Sequence, residues 1–286
     1  CFATSTVPDR CRVCRLSNLF GALLLIGPHG RNDDRGRFRD QRTLPFADLV
    51  ALVRPVPNMR IVDLGCGTGE LTAALAGHFR DAIVEGIDSS PAMLERAALL
   101  ATGRVTFRAG DIAAFDAPEA YDLIFSHAAL HWVGDHERLI PKMLARMRPG
   151  AQLAVQMPKN EGHASHRVAD ETAQREPFRT ILGGFVRESA ALAMERYAEL
   201  LYEHGFREQV CLEKLYGHEL SSSEDVVEWV KGTMLNAYLS RLPAEDRESF
   251  LDAYRARLLE EIGAQSPYFY PFRRLLVWGR KESTVR

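Results

Sequence analysis

Tryptophan and cysteine are scarce in this 286-residue chain, and charge of neither sign dominates. Its longest apolar stretch, Leu19 to Ile26, falls far short of the roughly 20 residues a helix needs to cross a bilayer, so no membrane span is expected. Arg10, Arg12 and Arg15 precede that stretch in the manner of a signal peptide, but Pro28-His29-Gly30 follows where a small-residue cleavage site belongs. With 36 basic against 38 acidic residues, net −2, the chain has no general attraction for nucleic acid or an anionic membrane. The five cysteines are Cys1, Cys11, Cys14, Cys66 and Cys211, three of them within the first 14 residues. An odd, scattered set makes a poor disulfide framework and suits a reducing cytoplasm. Cys11-x-x-Cys14 has half of a zinc-knuckle spacing, but no second Cys or His pair completes it nearby, so no metal is expected.

What is present is a chain of globular composition, 46% hydrophobic and 26% charged, which excludes wholesale disorder. Residues 1–36 hold no sustained period and carry five arginines against three aspartates. They are expected to be an N-terminal extension outside the fold. The remaining domain, 37–286, is then net −4, which makes a nucleic-acid partner less fitting still. Within it Thr43 to Val53 reads as a helix stopped by Pro55 and Pro57. Strands and helices then alternate: strands at Arg60–Leu64, Ala82–Ile87, Arg104–Arg108, Tyr121–Phe125 and Ala151–Met157, with helices from Glu70, from Pro91 behind a Ser90 N-cap, and over Asp135–Met147. This alternation predicts a doubly wound α/β fold with a mostly parallel, Rossmann-like sheet. After Pro158 it breaks. Residues 159–190 read as a loop with short helices, Glu208–Tyr216 as a sixth strand, Ser223–Asn236 and Glu245–Ile262 as amphipathic helices, and Phe272–Gly279 as a last strand.

The principal motif is Asp63-Leu64-Gly65-Cys66-Gly67-Thr68-Gly69-Glu70, at a strand-to-helix junction. Glycines there allow a tight turn and close approach of a ligand, and the helix start offers free N–H groups. The spacing Gly65-x-Gly67-x-Gly69 departs from the G-x-G-x-x-G of nicotinamide dehydrogenases, and the acid Asp63 suits a ligand bearing an amine rather than a pyrophosphate. Asp88, at the end of the second strand, can accept both hydroxyls of a ribose; its alternative role is to complement the dipole of the helix at Pro91. Asp111, in Gly110-Asp111-Ile112, is placed to accept from an adenine amino group.

Together these residues resemble the binding motifs of class I S-adenosylmethionine-dependent methyltransferases. The resemblance narrows on Phe38-Arg39-Asp40-Gln41-Arg42, the Gly86–Leu94 run, Leu130-His131-Trp132, Ala154-Val155-Gln156-Met157-Pro158-Lys159-Asn160 and Arg273–Arg280. These segments are similar to those of the trans-aconitate methyltransferase family. The resemblance implies a seven-stranded sheet with a last antiparallel strand, a helical cap near the C-terminus, and insertions 159–190 and 221–265 on the substrate side. It implies S-adenosylmethionine bound by Asp63, Gly65, Cys66, Gly67, Gly69, Asp88, Ser89, Met93, Asp111 and Ile112, and converted to S-adenosylhomocysteine. The acceptor it implies is a carboxylate of trans-aconitate or a similar small polycarboxylate, giving a monomethyl ester.

A carboxylate is already ionised at neutral pH, so no general base is required; the protein's task is alignment and exclusion of water. A polyanion needs cationic and hydrogen-bonding partners. The candidates are Arg42, His127, His131, Trp132, Lys159 and Arg273. Arg273 and Arg274 are adjacent on a strand and must point to opposite faces, so at most one serves the site. Competing readings are a methyltransferase for another small acid or an acyl thioester, and a non-catalytic adenosyl-ligand binding module. Oligomeric state is not readable.

Overall fold

The structure is a computed structural model that describes residues 39–283, with side chains from Thr43 onward. The extension expected over residues 1–36, with its Cys11-x-x-Cys14 spacing, lies outside the described residues, as does the side chain of Arg42. The elements run α1 (Arg39–Leu52), β1 (Arg60–Leu64), α2 (Glu70–His78), β2 (Ile83–Asp88), α3 (Pro91–Ala97), β3 (Val105–Ala109), β4 (Leu123–His127), α4 (His136–Arg146), β5 (Gln152–Pro158), α5 (Ala164–Ala173), α6 (Phe178–Ile181), α7 (Met194–Glu203), β6 (Phe206–Leu220), α8 (Asp225–Lys231), α9 (Asn236–Leu239), α10 (Arg247–Ile262) and β7 (Tyr268–Lys281).

One seven-stranded sheet has the order β3-β2-β1-β4-β5-β7-β6. The first five strands are parallel, and β7 enters antiparallel between β5 and β6. β1 lies at the centre because it can: Ile61, Val62, Asp63 and Leu64 are all buried, as a parallel strand covered on both faces requires. Strand register defines the two faces. Asp63, Phe125, Ala154 and Trp278 line up across β1, β4, β5 and β7, and α1 covers this face, with the Phe46 ring edge-on to Phe125. Leu153, Val155, Met157, Leu275 and Val277 point the other way into a core with Leu139, Ile140, Met143 and Leu144 of α4 and Leu200 and Leu201 of α7. Their spacing is that of an apolar helical stripe.

β6 and β7 are longer than their apolar patterns suggested, and their register runs from Phe206 opposite Lys281 to Leu220 opposite Tyr268. The far end of this hairpin leaves the sheet. Tyr268, Tyr270, Phe272 and Leu220 join α5, α6, α8, α9 and α10 in a second core that includes Val226, Trp229, Tyr238, Phe250 and Tyr254. The helices between β6 and β7 are thus a cap built on the strands' own extension. The stretch read as one helix over 223–236 is two: α8 stops at Gly232, a poor helix residue, and Thr233 turns its hydroxyl back onto the carbonyls of Trp229 and Val230. The region 159–190 holds α5 and α6, joined and followed by irregular chain.

One buried polar side chain ties the α1 side of the sheet together. Gln152 Oε1 accepts from Arg54 N at 2.8 Å and from Trp278 Nε1 at 3.1 Å, and its Nε2 donates to Arg54 O at 2.7 Å. Gln152→Leu strands two donors and an acceptor in an otherwise dry layer. It is expected to cost about 3 kcal/mol, read as a lowered urea midpoint with an unchanged slope.

Candidate functional site

The glycine turn leaves β1 at its carboxyl end. Gly65, Gly67 and Gly69 all have positive φ, at 80°, 55° and 78°, the left-handed region that disfavours a side chain. Gly65 N and Cys66 N both donate to Ile87 O, at 2.8 and 3.1 Å, which locks the turn to β2. A Cβ on Gly65 would lie 2.1 Å from the Ala129 Cβ and 3.5 Å from the Ile112 Cδ1. The turns after β1, β3 and β4 therefore meet there. Around Gly67 a Cβ would meet nothing within 4 Å, so the backbone faces open space just before the N-terminus of α2, where N–H groups lack intrahelical partners.

Carboxylates surround this opening. Asp88 Oδ2 accepts from Gly67 N at 2.9 Å, and its Oδ1 accepts from Ser90 N at 2.8 Å. Asp88 thus braces the two turns, and each oxygen keeps a lone pair for a ligand hydroxyl. Asp63 is buried and accepts from Thr72 Oγ1 at 2.6 Å. Burial, with the nearby Asp88 charge, pushes its pKa up to about 6 against the Thr72 hydrogen bond. A ligand cation beside it would relieve that cost. Asp111 is exposed and caps the Ile112–Ala114 turn through Ala113 N at 2.9 Å, leaving Oδ2 for an adenine amine. Ile112 is buried, Met93 half-buried and Ser89 exposed at the rim. Cys66 is buried, and burial together with Asp63 and Asp88 raises its thiol to about 12, so it stays neutral. These residues, named from the sequence, lie on and after the ends of β1, β2 and β3, and a glycine backbone with acid side chains is chemically suited to an adenosyl ligand with a cationic amino-acid end.

A second, cationic region lies beyond β4. His131 sits on the Leu130–Trp132 turn, next to Ala129. Its Nδ1 is buried without a hydrogen-bond partner among the described residues. Burial, with smaller contributions from the charges of Arg187, Arg274 and His136, lowers its pKa to about 3. Burial and then Arg187 likewise lower His166 to about 3, and burial and then Arg274 lower His218 to about 4. All three rings are thus neutral at physiological pH and sit in the field of two guanidinium groups. Arg274 is 5% exposed, with its guanidinium 4.9 Å from the Phe272 ring centroid. The Nε of half-buried Arg187 is buried and unpartnered. His218 stacks on Trp229 at 4.7 Å, and Phe272 lies within 6.5 Å of His166 and within 6.4 Å of His218.

The sequence candidates divide accordingly. His127 reaches this region, half-buried with Phe46 edge-on to its ring at 5.9 Å, and His131 lies within it. Trp132 is 53% exposed, its ring 4.7 Å from that of His131, and belongs to the rim. Lys159 donates to Ala191 O at 3.2 Å, so it holds the segment that carries Arg187. Arg273 is exposed, and Arg274, the other parity of the same strand, is buried. Sequence reading did not single out Arg187, His166, His218 or Gln156, which the structure brings close to Arg274 or His131. Gln156 and Arg274 did carry a signal, each being a polar residue in an apolar strand. Arg187 lies in irregular chain without periodicity.

The chain resembles known proteins in sequence and in fold. The family described as a methyltransferase domain matches residues 55–205. Trans-aconitate 2-methyltransferase of Deinococcus radiodurans is 44% identical over 250 residues, covering 85% of this chain and 95% of that protein. The enzyme of the same name from Variovorax paradoxus is 40% identical over 226 residues, 78% of this chain and 86% of its own. Among solved structures, the YcgJ protein from Bacillus subtilis superposes with a TM-score of 0.54 at 14% identity, covering 84% of this chain and 99% of that one. A putative methyltransferase from Bacillus halodurans gives 0.52 at 15%, with coverage of 83% and 99%. At such identities the likeness concerns the fold.

Two outcomes test the site. Gly65→Ala combines a left-handed backbone with a collision against Ala129, and is expected to cost on the order of 3 kcal/mol and to abolish adenosyl-ligand binding by calorimetry. The second concerns pH. The contribution of the neutral His131, His166 and His218 rings is complete above about pH 6.5, their unfolded value, and is lost as pH falls toward 4 and 3. Asp63 runs oppositely, its contribution being present below pH 3.8 and lost as pH rises through about 6. From these four groups unfolding near pH 5 takes up about two protons, and the lowered His78, His136 and His163 add to the uptake, so that stability falls by at least about 2 kcal/mol per unit of acidification, measured by urea titrations at pH 6, 5 and 4.5.

Proposed function

The chain belongs to the methyltransferase family whose curated members carry the name trans-aconitate 2-methyltransferase, and on that premise we propose that it transfers the methyl group of S-adenosylmethionine to a carboxylate of trans-aconitate or a similar small polycarboxylate. The products are the monomethyl ester and S-adenosylhomocysteine. The observation that carries this reading is the pair of guanidinium groups, Arg187 and buried Arg274, among neutral imidazoles beyond the adenosyl site. Two guanidinium groups gathered with neutral ring donors suit an anion with more than one negative charge. The insertions 159–190 and 221–265 of the domain 37–286 make the substrate side in this reading.

S-adenosylmethionine, when bound, supplies a methyl group made electrophilic by its sulfonium charge. Asp88 and Asp111 offer acceptors for ribose and adenine, and the charge of Asp63 favours the cationic amino-acid end. Arg187 and Arg274 replace the water around the acid's carboxylates with fixed donors. The neutral rings of His131, His166 and His218 add hydrogen bonds without adding charge. An acceptor oxygen of the substrate uses a lone pair it already has, so no protein group needs to remove a proton. The cap core holds water away from the junction. Cys66 and Cys211, the two cysteines among the described residues, are both free thiols, which supports a reducing, cytoplasmic setting. Among the described residues no helix is long and apolar enough to cross a membrane.

Labelled S-adenosylmethionine incubated with a panel of di- and tricarboxylates and acyl thioesters should give ester with trans-aconitate; failure with every acid would overturn the reading. Within that assay Arg274→Gln and Arg187→Gln are each expected to raise the KM for the acid about 10- to 100-fold, with cofactor affinity within about twofold. Arg273→Gln, on the outer face, should stay within about threefold of the parent on both. A large KM effect at Arg273 with none at Arg274 would reverse the assignment of the two arginines.

A further inference from the structure

The segment Gln156-Met157-Pro158-Lys159-Asn160 is used by the fold at all but one of its side-chain-bearing polar positions. Met157 is fully buried in the α4 and α7 core. Lys159 N donates to Arg273 O at 2.9 Å and its Nζ to Ala191 O. Asn160 Oδ1 accepts from Arg273 N at 3.0 Å, and its Nδ2 donates to Tyr270 OH at 3.5 Å. Gln156 is 0% exposed, yet neither Nε2 nor Oε1 finds a hydrogen-bond partner among the described residues. Gln152, four residues earlier and on the same face of the same strand, has both amide atoms satisfied. A buried amide with no partner costs free energy that any apolar side chain of similar volume avoids, so its presence points to a ligand.

Register shows where that ligand would be. Gln156 pairs with His127 on β4 and lies diagonal to Arg274 on β7, since Gln156 is opposite Leu276 and Pro158 opposite Arg274. Ala128 N donates to Gln156 O at 2.9 Å, which anchors on Gln156 the turn whose next residue, Ala129, abuts Gly65. Gln156 therefore stands between the glycine turn and the arginine-lined region.

We propose that Gln156 orients the acceptor carboxylate: its amide holds the carboxylate that receives the methyl group, while the guanidinium groups of Arg187 and Arg274 hold the others. This rests on the carboxylate methylation proposed above. A carboxylate clamped by guanidinium has its lone pairs engaged and its charge neutralised. One held by a neutral amide is oriented and keeps a lone pair for attack. In the step, that oxygen forms the new C–O bond, the C–S electron pair returns to sulfur, and no proton moves; an anion and a sulfonium become a neutral ester group and a neutral thioether. Gln156 thereby decides which carboxylate of the substrate is methylated.

The test compares Gln156→Met, which keeps the volume and removes the amide, with Gln156→Asn, which withdraws it by one methylene. Both are read by kinetics, calorimetry with each ligand, and NMR assignment of the monomethyl ester isomers. Gln156→Met should melt about 2 °C or more above the parent, because a stranded amide is gone, while kcat falls at least about tenfold. KM for the acid should stay within about threefold, and cofactor affinity should not change. Gln156→Asn should fold, lose kcat and give a different isomer ratio. If the parent esterifies acids but both variants keep its kcat and isomer ratio, or if Gln156→Met melts below the parent, Gln156 is structural and the inference falls. If the parent esterifies no acid at all, the proposed function itself is what fails, independently of the melting result.

Discussion

The insertion of β7, antiparallel, between β5 and β6 is the constraint on which the rest of the structure depends. Over Arg280 to Arg274 it pairs with β5 and completes the sheet. Over Phe272 to Tyr268 it has left β5, still paired with β6, and supplies aromatic rings to the cap core. One strand thereby belongs to two cores, and the helices between β6 and β7 have a fixed place to pack. Arg274 is the last β7 residue in register with β5. It emerges where the sheet ends and the cap begins, and this is why a guanidinium can be buried there.

The junction between the cores concentrates polar groups that the fold itself does not satisfy. His131 Nδ1, both amide atoms of Gln156, Arg187 Nε and His218 Nε2 are all buried without partners among the described residues. Several buried polar side chains elsewhere are paired: Gln152 with Arg54 and Trp278, His136 with Leu130 O and with Tyr197, Ser126 with Leu64 O. A protein that satisfies its interior in these places and leaves it unsatisfied in one region carries a local cost to stability in that region, as functional sites do. The adenosyl side shows a milder form of the same tension in Asp63, whose burial makes its charge costly until a cation adjoins it.

The two halves of the site were unequally legible. Cofactor-side residues lie within short, contiguous motifs at strand ends, and local rules of turn and helix start are enough to read them. Gly65, Gly67 and Gly69 stand out because few other sequences make that turn, and Asp88 because it ends a strand. The residues proposed for the substrate side come from β4 and the turn after it, β5, α5, the irregular chain after α6, β6 and β7, and no local pattern links them. Strand alternation did show that Arg273 and Arg274 face opposite ways. It did not show which faces inward, because that depends on which side of β7 the cap covers. Arg187 had no period to betray it, being held in place by Tyr238 OH on its backbone N–H and by the contacts of Lys159 and Tyr197 nearby.

The amino-acid sequence by itself determined the alternation of strands and helices, the glycine turn with its acids, and so the class of fold and the adenosyl half of the site. These are properties of hydrophobic period and backbone freedom, which act over a few residues. Only the tertiary structure decided the length of the β6–β7 hairpin, the inward choice of Arg274 over Arg273, and the meeting of Gln156, His131, Arg187 and Arg274 at one junction. Register and burial are set by distant segments packing together, and a guanidinium or an amide becomes a binding group only once that packing has removed its water.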